Sequence, residues 1–176
     1  FDFGLVGLGV MGRNFILNVA SKGFSAMGLS SKDEAITLLK KEGAEYKVDG
    51  TKSDEEFIKK LSRPRKIMLL VPAGNPVDTV IERFLPFLDK GDIIIDGGNS
   101  HYDDTERRYS YLKKKDIHFI GAGVSGGSKG ARFGPSIMPG GDKECYKEIQ
   151  PIFEAAAAKV KDCLLYTSPS PRDSSQ

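Results

Sequence analysis

The residues Phe3-Gly4-Leu5-Val6 run straight into Gly7-Leu8-Gly9-Val10-Met11-Gly12. From Arg13 to Ser21 the apolar residues Phe15, Ile16, Val19 and Ala20 then recur at helical spacing. A G-x-G-x-x-G turn between a short apolar strand and an amphipathic helix leaves few folds open. The first glycine permits a tight turn. The second lets the backbone approach a pyrophosphate with no Cβ in the way, and the third lets the helix pack closely on the strand. The helix N-terminus then presents free N–H groups and the positive end of its dipole to phosphate oxygens. The expectation is that Gly7, Leu8, Gly9, Val10, Met11 and Gly12 cradle a dinucleotide. The alternative is a purely structural glycine turn.

Strand-like and helix-like segments alternate along the rest of the chain. Ser25 to Leu29 reads as a strand and Asp33 to Lys41 as a helix with Ile36, Leu38 and Leu39 inward. Asp54 to Leu61 reads as a helix capped by Ser53, with Glu56 completing a capping box. Lys66 to Val71, Asp92 to Ile95 and Ile117 to Ile120 read as strands; Pro76 to Leu88, Thr105 to Lys115 and Lys143 to Ala158 read as helices. Helices of this length between strands imply parallel pairing with right-handed crossovers. The predicted fold is therefore α/β: a Rossmann-type, doubly wound, mostly parallel sheet flanked by helices. Lysine runs such as Lys40-Lys41 and Lys113-Lys114-Lys115 read as solvated helix faces.

Composition narrows the partner. The net charge of +2 argues for neither nucleic acid nor a membrane surface, so a small molecule is the expected ligand. No apolar run approaches the ~20 residues of a membrane helix, and no signal peptide is visible. The two cysteines, Cys145 and Cys163, are too few for a disulfide scaffold. A cytoplasmic setting is expected. Nothing in the spacing of the histidines, cysteines and carboxylates suggests a metal site. The chain opens at Phe1 and enters a strand almost at once, which reads as a piece of something longer.

The end of the second strand selects the dinucleotide. A carboxylate there would bond the adenosine ribose and favour NAD. The chain has Ser30-Ser31-Lys32 instead, with Asp33 and Glu34 beginning the next helix. Two hydroxyls and an ammonium suit a 2′-phosphate, so NADP is favoured over NAD. Ser30 or Ser31 could also simply N-cap the helix.

Three small-residue loops fall where strands end, the edge at which such sheets bind ligands. They are Val71-Pro72-Ala73-Gly74, Asp96-Gly97-Gly98-Asn99-Ser100 and Gly121 to Gly127. Asn99 and Ser125 are the polar groups placed to orient a ligand, or else they only cap local backbone. His101 reads as a solvated loop residue and His118 as structural. Lys129 and Arg132 either touch a phosphate or lie on a helix surface.

These residues carry a specific resemblance. RPRKIMLLVPAG at 63–74, KGDIIIDGGNSHYDDTERR at 90–108, GVSGGSKGARFGPSIMPGG at 123–141 and GLGVMGRN at 7–14 together resemble the decarboxylating 6-phosphogluconate dehydrogenase family. The likeness runs in order over residues 3–162. It implies NADP-dependent oxidation of 6-phosphogluconate at C3, followed by loss of CO2 to give ribulose 5-phosphate, as in the pentose phosphate pathway. By matched motif, Val71, Pro72 and Ala73 would lie along the cofactor, Asn99 between cofactor and substrate, and Ser125, Gly126 and Gly127 on the substrate. The family would also make the whole protein a homodimer. Two positions depart from the pattern. The family carries Asn-Arg-Thr where Ser30-Ser31-Lys32 stands, so a planar bidentate arginine is replaced by a lysine. A lysine is common where Pro72 stands.

The resemblance further implies that the catalytic Lys and Glu belong to an all-helical domain beyond residue 162. Residues 1–162 are then the NADP-binding domain, with no catalytic residue among them and no turnover of their own. Residues 163–176 read as a non-native, adapter-like translation or a disordered Ser/Pro-rich tail. The alternative functions are a 3-hydroxyisobutyrate-type β-hydroxyacid dehydrogenase, whose members share the GLGxMG opening but not the RPRK and GARFGPSIMPGG blocks, or a non-catalytic NADP-binding module.

Overall fold

A computed structural model describes residues 1–160 and 163–164. Its centre is a seven-stranded sheet: β1 (Phe3–Val6), β2 (Ala26–Leu29), β3 (Val48–Thr51), β4 (Lys66–Leu69), β5 (Ile93–Asp96), β6 (His118–Ser125) and β7 (Ser136–Gly141). The spatial order is β3-β2-β1-β4-β5-β6-β7. The first six strands pair in parallel and β7 pairs antiparallel to β6. The connections are α1 (Val10–Ser21), α2 (Asp33–Glu42), α3 (Asp54–Lys59), α4 (Asn75–Phe84), α5 (Tyr102–Lys113) and α6 (Gly127–Phe133), with α7 (Lys143–Ala156) following β7. This is the expected Rossmann-type sheet, with one antiparallel edge added. A short pair, β8 (Lys159–Val160) and β9 (Cys163–Leu164), follows α7. Apart from Cys163 and Leu164, the tail expected at 163–176 lies outside the described residues.

Alternation along the strands splits the apolar residues into two layers. Phe3, Leu5, Met68, Ile93, Ile95 and Ile120 face the layer that holds Phe15, Ile149 and Phe153 of α1 and α7. Ile67, Leu69, Ile94 and Phe119 face the layer that holds Phe57, Phe84 and Leu112 of α3, α4 and α5. Phe15 meets Phe153 edge-on at 6.5 Å, and Phe57 lies 5.7 Å from Phe84. Burial of each such ring contributes on the order of 2–3 kcal/mol.

Three elements escape the sequence reading. β3 is VDGT, with little apolar alternation to detect. α6 is GSKGARF, too short and glycine-rich to show a period. β7 is SIMPGG, and Pro139 argues against a strand anywhere but at an edge, where it lies. Pairing with β7 also makes residues 121–125 part of β6, where a loop was expected. Helix α1 starts at Val10, inside the glycine motif, and not at Arg13. Ser53 does cap α3, accepting from the Glu56 N–H at 3.2 Å, but Glu56 turns its carboxylate to Thr51 and Lys60, so only half of the capping box forms.

Buried Asn18 ties α6 and α7 onto α1. Its Nδ2 donates to the carbonyls of Ala131 at 3.1 Å and Ala156 at 2.8 Å, each near the end of its helix. At the other end of the sheet the RPRK block is structural. Arg65 donates from Nη1 to Asp89 and Asp92, both at 2.8 Å, and the Asp92 carboxylate also accepts from the Arg65 and Asp89 backbone N–H groups. No helix among the described residues is long and apolar enough to cross a membrane.

Replacing Asn18 with Leu leaves two buried carbonyls without their donor. The expected loss of stability is about 1–3 kcal/mol, read as a lower urea midpoint. An unchanged midpoint would remove Asn18 from the account of how α6 is held.

Candidate functional site

The glycine motif forms a close-packed turn with one open face. Gly7 has φ +98°, and a Cβ there would collide with the Leu70 carbonyl oxygen. A Cβ on Gly12 would strike the carbonyl of Gly7 and come within 3.0 Å of Leu5, so α1 could not approach β1. Gly9 is different: nothing lies within 4 Å of where its Cβ would be. Gly9 is the N-cap of α1 with no side-chain cap, and no acidic residue occupies the first turn. The leading N–H groups of the helix have no intrahelical acceptor. Uncapped donors, a positive dipole end and free space above Gly9 form a cradle for an anion. Val10 is exposed and Met11 half-buried beside it, whereas Leu8 turns its side chain into the core and offers only backbone.

Neighbouring loops lie against this turn in sequence. Val71 Cγ1 is 3.5 Å from the Cβ position of Gly7, and the Val71 carbonyl oxygen is 3.2 Å from that of Gly98. The 70–74 and 97–100 loops therefore meet at the C-terminal edge of β1, β4 and β5. Pro72, Ala73 and Asn99 are exposed there.

What fixes these two loops is a residue to which sequence reasoning assigned no role. Arg108 of α5 is 1% exposed. Its Nε and Nη2 donate to the two carboxylate oxygens of Asp78 at 2.9 and 3.1 Å. Nη2 also donates to the Gly74 carbonyl at 3.0 Å, and Nη1 to Ser100 Oγ at 3.2 Å. Asp96, also buried, lies 3.6 Å from Nη1 and accepts from the Gly98 N–H at 3.0 Å and from the Ser100 hydroxyl. One guanidinium thus joins the loop after β4 to the loop after β5. Arg107 reaches Asp78 from outside at 2.9 Å, so two cations balance two carboxylates. Hydrogen bonding from Arg108, with Arg107 adding to it, holds the Asp78 carboxyl at about 2, below its ordinary 3.8.

At the end of β2, Ser30 Oγ accepts from the Lys32 N–H at 3.2 Å, and Lys32 itself is the N-cap of α2. Neither serine caps the helix. Ser31 and Lys32 are exposed, and the Asp33 carboxylate is neutralised by Lys52 at 3.0 Å. Ser125 stands four residues beyond Gly121, the partner of Asp96, so β6 carries it roughly 13 Å past the end of β5. Gly126 and Gly127 follow, exposed, at the start of α6. Arg132 lies over the Tyr46 and Phe133 rings, while Lys129 is exposed. His101 is an exposed N-cap of α5, accepting from the Asp103 N–H at 3.3 Å.

Comparison with known proteins shows the family and the fold. The family model described as the NAD binding domain of 6-phosphogluconate dehydrogenase matches residues 2–166. The decarboxylating 6-phosphogluconate dehydrogenase 1 of Saccharomyces cerevisiae is 54% identical over 159 residues, covering 90% of this chain and 32% of the yeast protein. The chain spans about a third of the length of the curated relatives it matches. A solved structure of Plasmodium falciparum 6-phosphogluconate dehydrogenase, studied apo, with its cofactor NADP+ and with its substrate 6-phosphogluconate, superposes with TM-score 0.90 at 44% identity, over 95% of this chain and 36% of that one. A 3-hydroxyisobutyrate dehydrogenase from Salmonella typhimurium, at 22% identity and TM-score 0.77 over 95% of this chain and 56% of that one, shares the fold.

The Arg108 cluster predicts two outcomes. Arg108→Met leaves buried Asp96 without a cation, while Asp78 keeps Arg107, and is expected to cost about 3–5 kcal/mol in chemical unfolding. Because the Asp78 carboxyl is depressed on folding, its contribution is present above about pH 4 and lost as pH falls through about 2. Asp78 is 30% exposed, so screening trims that contribution to about 1–2 kcal/mol. Asp78→Asn should flatten the unfolding-versus-pH curve over that window, and an unflattened curve would separate Asp78 from acid sensitivity.

Proposed function

The chain belongs to the 6-phosphogluconate dehydrogenase NAD-binding domain family, and we propose that it binds NADP on the 7–12 turn as the cofactor half of a decarboxylating 6-phosphogluconate dehydrogenase. The observation that carries this reading is the open space above Gly9 at an uncapped helix start, in a turn whose other two glycines are closed by backbone. Gly7, Gly9, Val10, Met11 and Gly12 hold the pyrophosphate, with Leu8 contributing backbone. Ser30, Ser31 and Lys32 meet the 2′-phosphate with hydroxyls and one charge, where Asp33 is already paired with Lys52. Val71, Pro72 and Ala73 lie along the cofactor, and Arg108 keeps that loop in register with the loop that carries Asn99. When bound, NADP supplies the hydride acceptor.

Asn99 then orients both ligands, and Ser125, Gly126 and Gly127 bind 6-phosphogluconate from the end of β6. The reaction also needs a base for the hydroxyl proton and an acid for the enediol left by CO2 loss. By the resemblance these are a Lys and a Glu beyond residue 162, so residues 1–162 form a binding domain and the 176-residue chain gives no turnover by itself. The whole protein acts as a cytoplasmic homodimer with no nucleic-acid or membrane partner. Oxidation of 6-phosphogluconate by the chain alone would overturn the division of labour.

Calorimetric titration tests the cofactor reading. The chain should bind NADP more tightly than NAD. Lys32→Ala should lower NADP affinity about tenfold, worth ~1.4 kcal/mol, and leave NAD nearly unchanged. Gly9→Val should leave the unfolding midpoint in place and weaken both dinucleotides. Equal affinity of the native chain for NADP and NAD would refute the role given to Ser30, Ser31 and Lys32.

A further inference from the structure

At the edge of the sheet opposite the glycine turn, where β6 and α7 both begin, three side chains of different ligand chemistry converge. His118 is the first residue of β6, Asp142 is the N-cap of α7, and Cys145 lies in the first turn of that helix. One ligand atom from each lies within 4.8 Å of the other two. None of the three has a part in the dinucleotide reading. From these residues we propose a zinc-class cation site of His118, Asp142 and Cys145, with a fourth position open to water.

The local bonding supports the assignment. Asp142 Oδ1 is occupied by the Glu144 N–H at 2.9 Å, which fixes the carboxylate and leaves Oδ2 turned towards His118. Oδ2 and His118 Nδ1 are 3.8 Å apart, too long for a hydrogen bond. That gap is a few tenths of an ångström wider than the ~3.3–3.5 Å nitrogen-to-oxygen edge of a tetrahedron built on zinc bond lengths, so an ion would draw the two side chains together. The Cys145 thiol donates to the Asp142 backbone carbonyl at 3.3 Å, with Sγ within 4.8 Å of the other two ligand atoms. A cleft of about 280 Å³ opens beside His118 and Asp142, giving an ion its path and a water its place. The two lysines on that cleft are engaged: Lys90 with Asp116 at 3.7 Å, and Lys113 over the Tyr109 ring.

The donor set of one sulfur, one imidazole nitrogen and one carboxylate oxygen is that of a borderline-soft ion with three protein ligands. Binding forms a metal–sulfur bond and breaks the Cys145 S–H bond, and the proton leaves to solvent. The ion would tie the start of β6 to the start of α7, the helix whose Phe153 packs on Phe15 of α1.

Cobalt(II) titration of the 176-residue chain tests the site, in a Cys163→Ser background so that Cys145 is the one thiol present. The expected result is a thiolate-to-cobalt charge-transfer band with the visible bands of four-coordinate cobalt, both removed by zinc, and a rise in Tm with zinc. Cys145→Ser should abolish the charge-transfer band, while His118→Gln and Asp142→Asn should each weaken zinc binding at least about tenfold. NADP affinity should be unchanged in all three. The half-exposed His118 position keeps the test decisive if Cys145→Ser fails to fold. Absence of the charge-transfer band, or zinc affinity unmoved by His118→Gln, would overturn the site.

Discussion

The geometry of the candidate site depends on a single buried guanidinium. Arg108 joins Asp78 of α4, the Gly74 carbonyl and Ser100, with Asp96 at its far side. A buried cation is tolerated only when its donors are matched and its charge is balanced. Here both conditions are met by groups drawn from two loops, one helix and the end of one strand. Those loops carry Val71 to Ala73 and Asn99, so the electrostatic need of one arginine sets where the exposed residues stand. The glycine turn adds a steric condition. Gly7 must lie under Leu70, and Gly12 must lie on Gly7, before the helix start can open towards an anion.

The two ends of the sheet divide the work. At the N-terminal edge the Arg65, Asp89 and Asp92 cluster closes on itself. At the C-terminal edge the polar groups are shared between loops, and several side chains remain exposed. That contrast separates the two halves of the RPRKIMLLVPAG block. Its first residues hold strands together, and its last ones face the space where a ligand would lie.

Much of this was legible in the residues. The turn at 7–12 announced the first strand, the first helix and the sheet class, because few other uses exist for that glycine spacing. Ser30-Ser31-Lys32 was legible as an uncharged-to-basic strand end, though not as a serine bonded to the Lys32 N–H. Arg108 was not legible as a buried residue. It sits in DDTERR, a charged run in which nothing marks one residue for burial, and only the tertiary fold brings Asp78 and Gly74 to it. The approach of His118 to Asp142 and Cys145 was hidden for a related reason. Antiparallel return of β7, whose Pro and Gly content masked it as a strand, is what carries Asp142 back to the start of β6.

The shared arginine has a thermodynamic consequence for whatever the two loops hold. The same planar group holds the Gly74 carbonyl and the Ser100 hydroxyl, so a displacement of one loop that moves the guanidinium is felt at the other. A ligand that shifted one loop would bias the other, with a coupling equal in both directions. Groups that never touch each other would then be coupled through the four hydrogen bonds of one side chain.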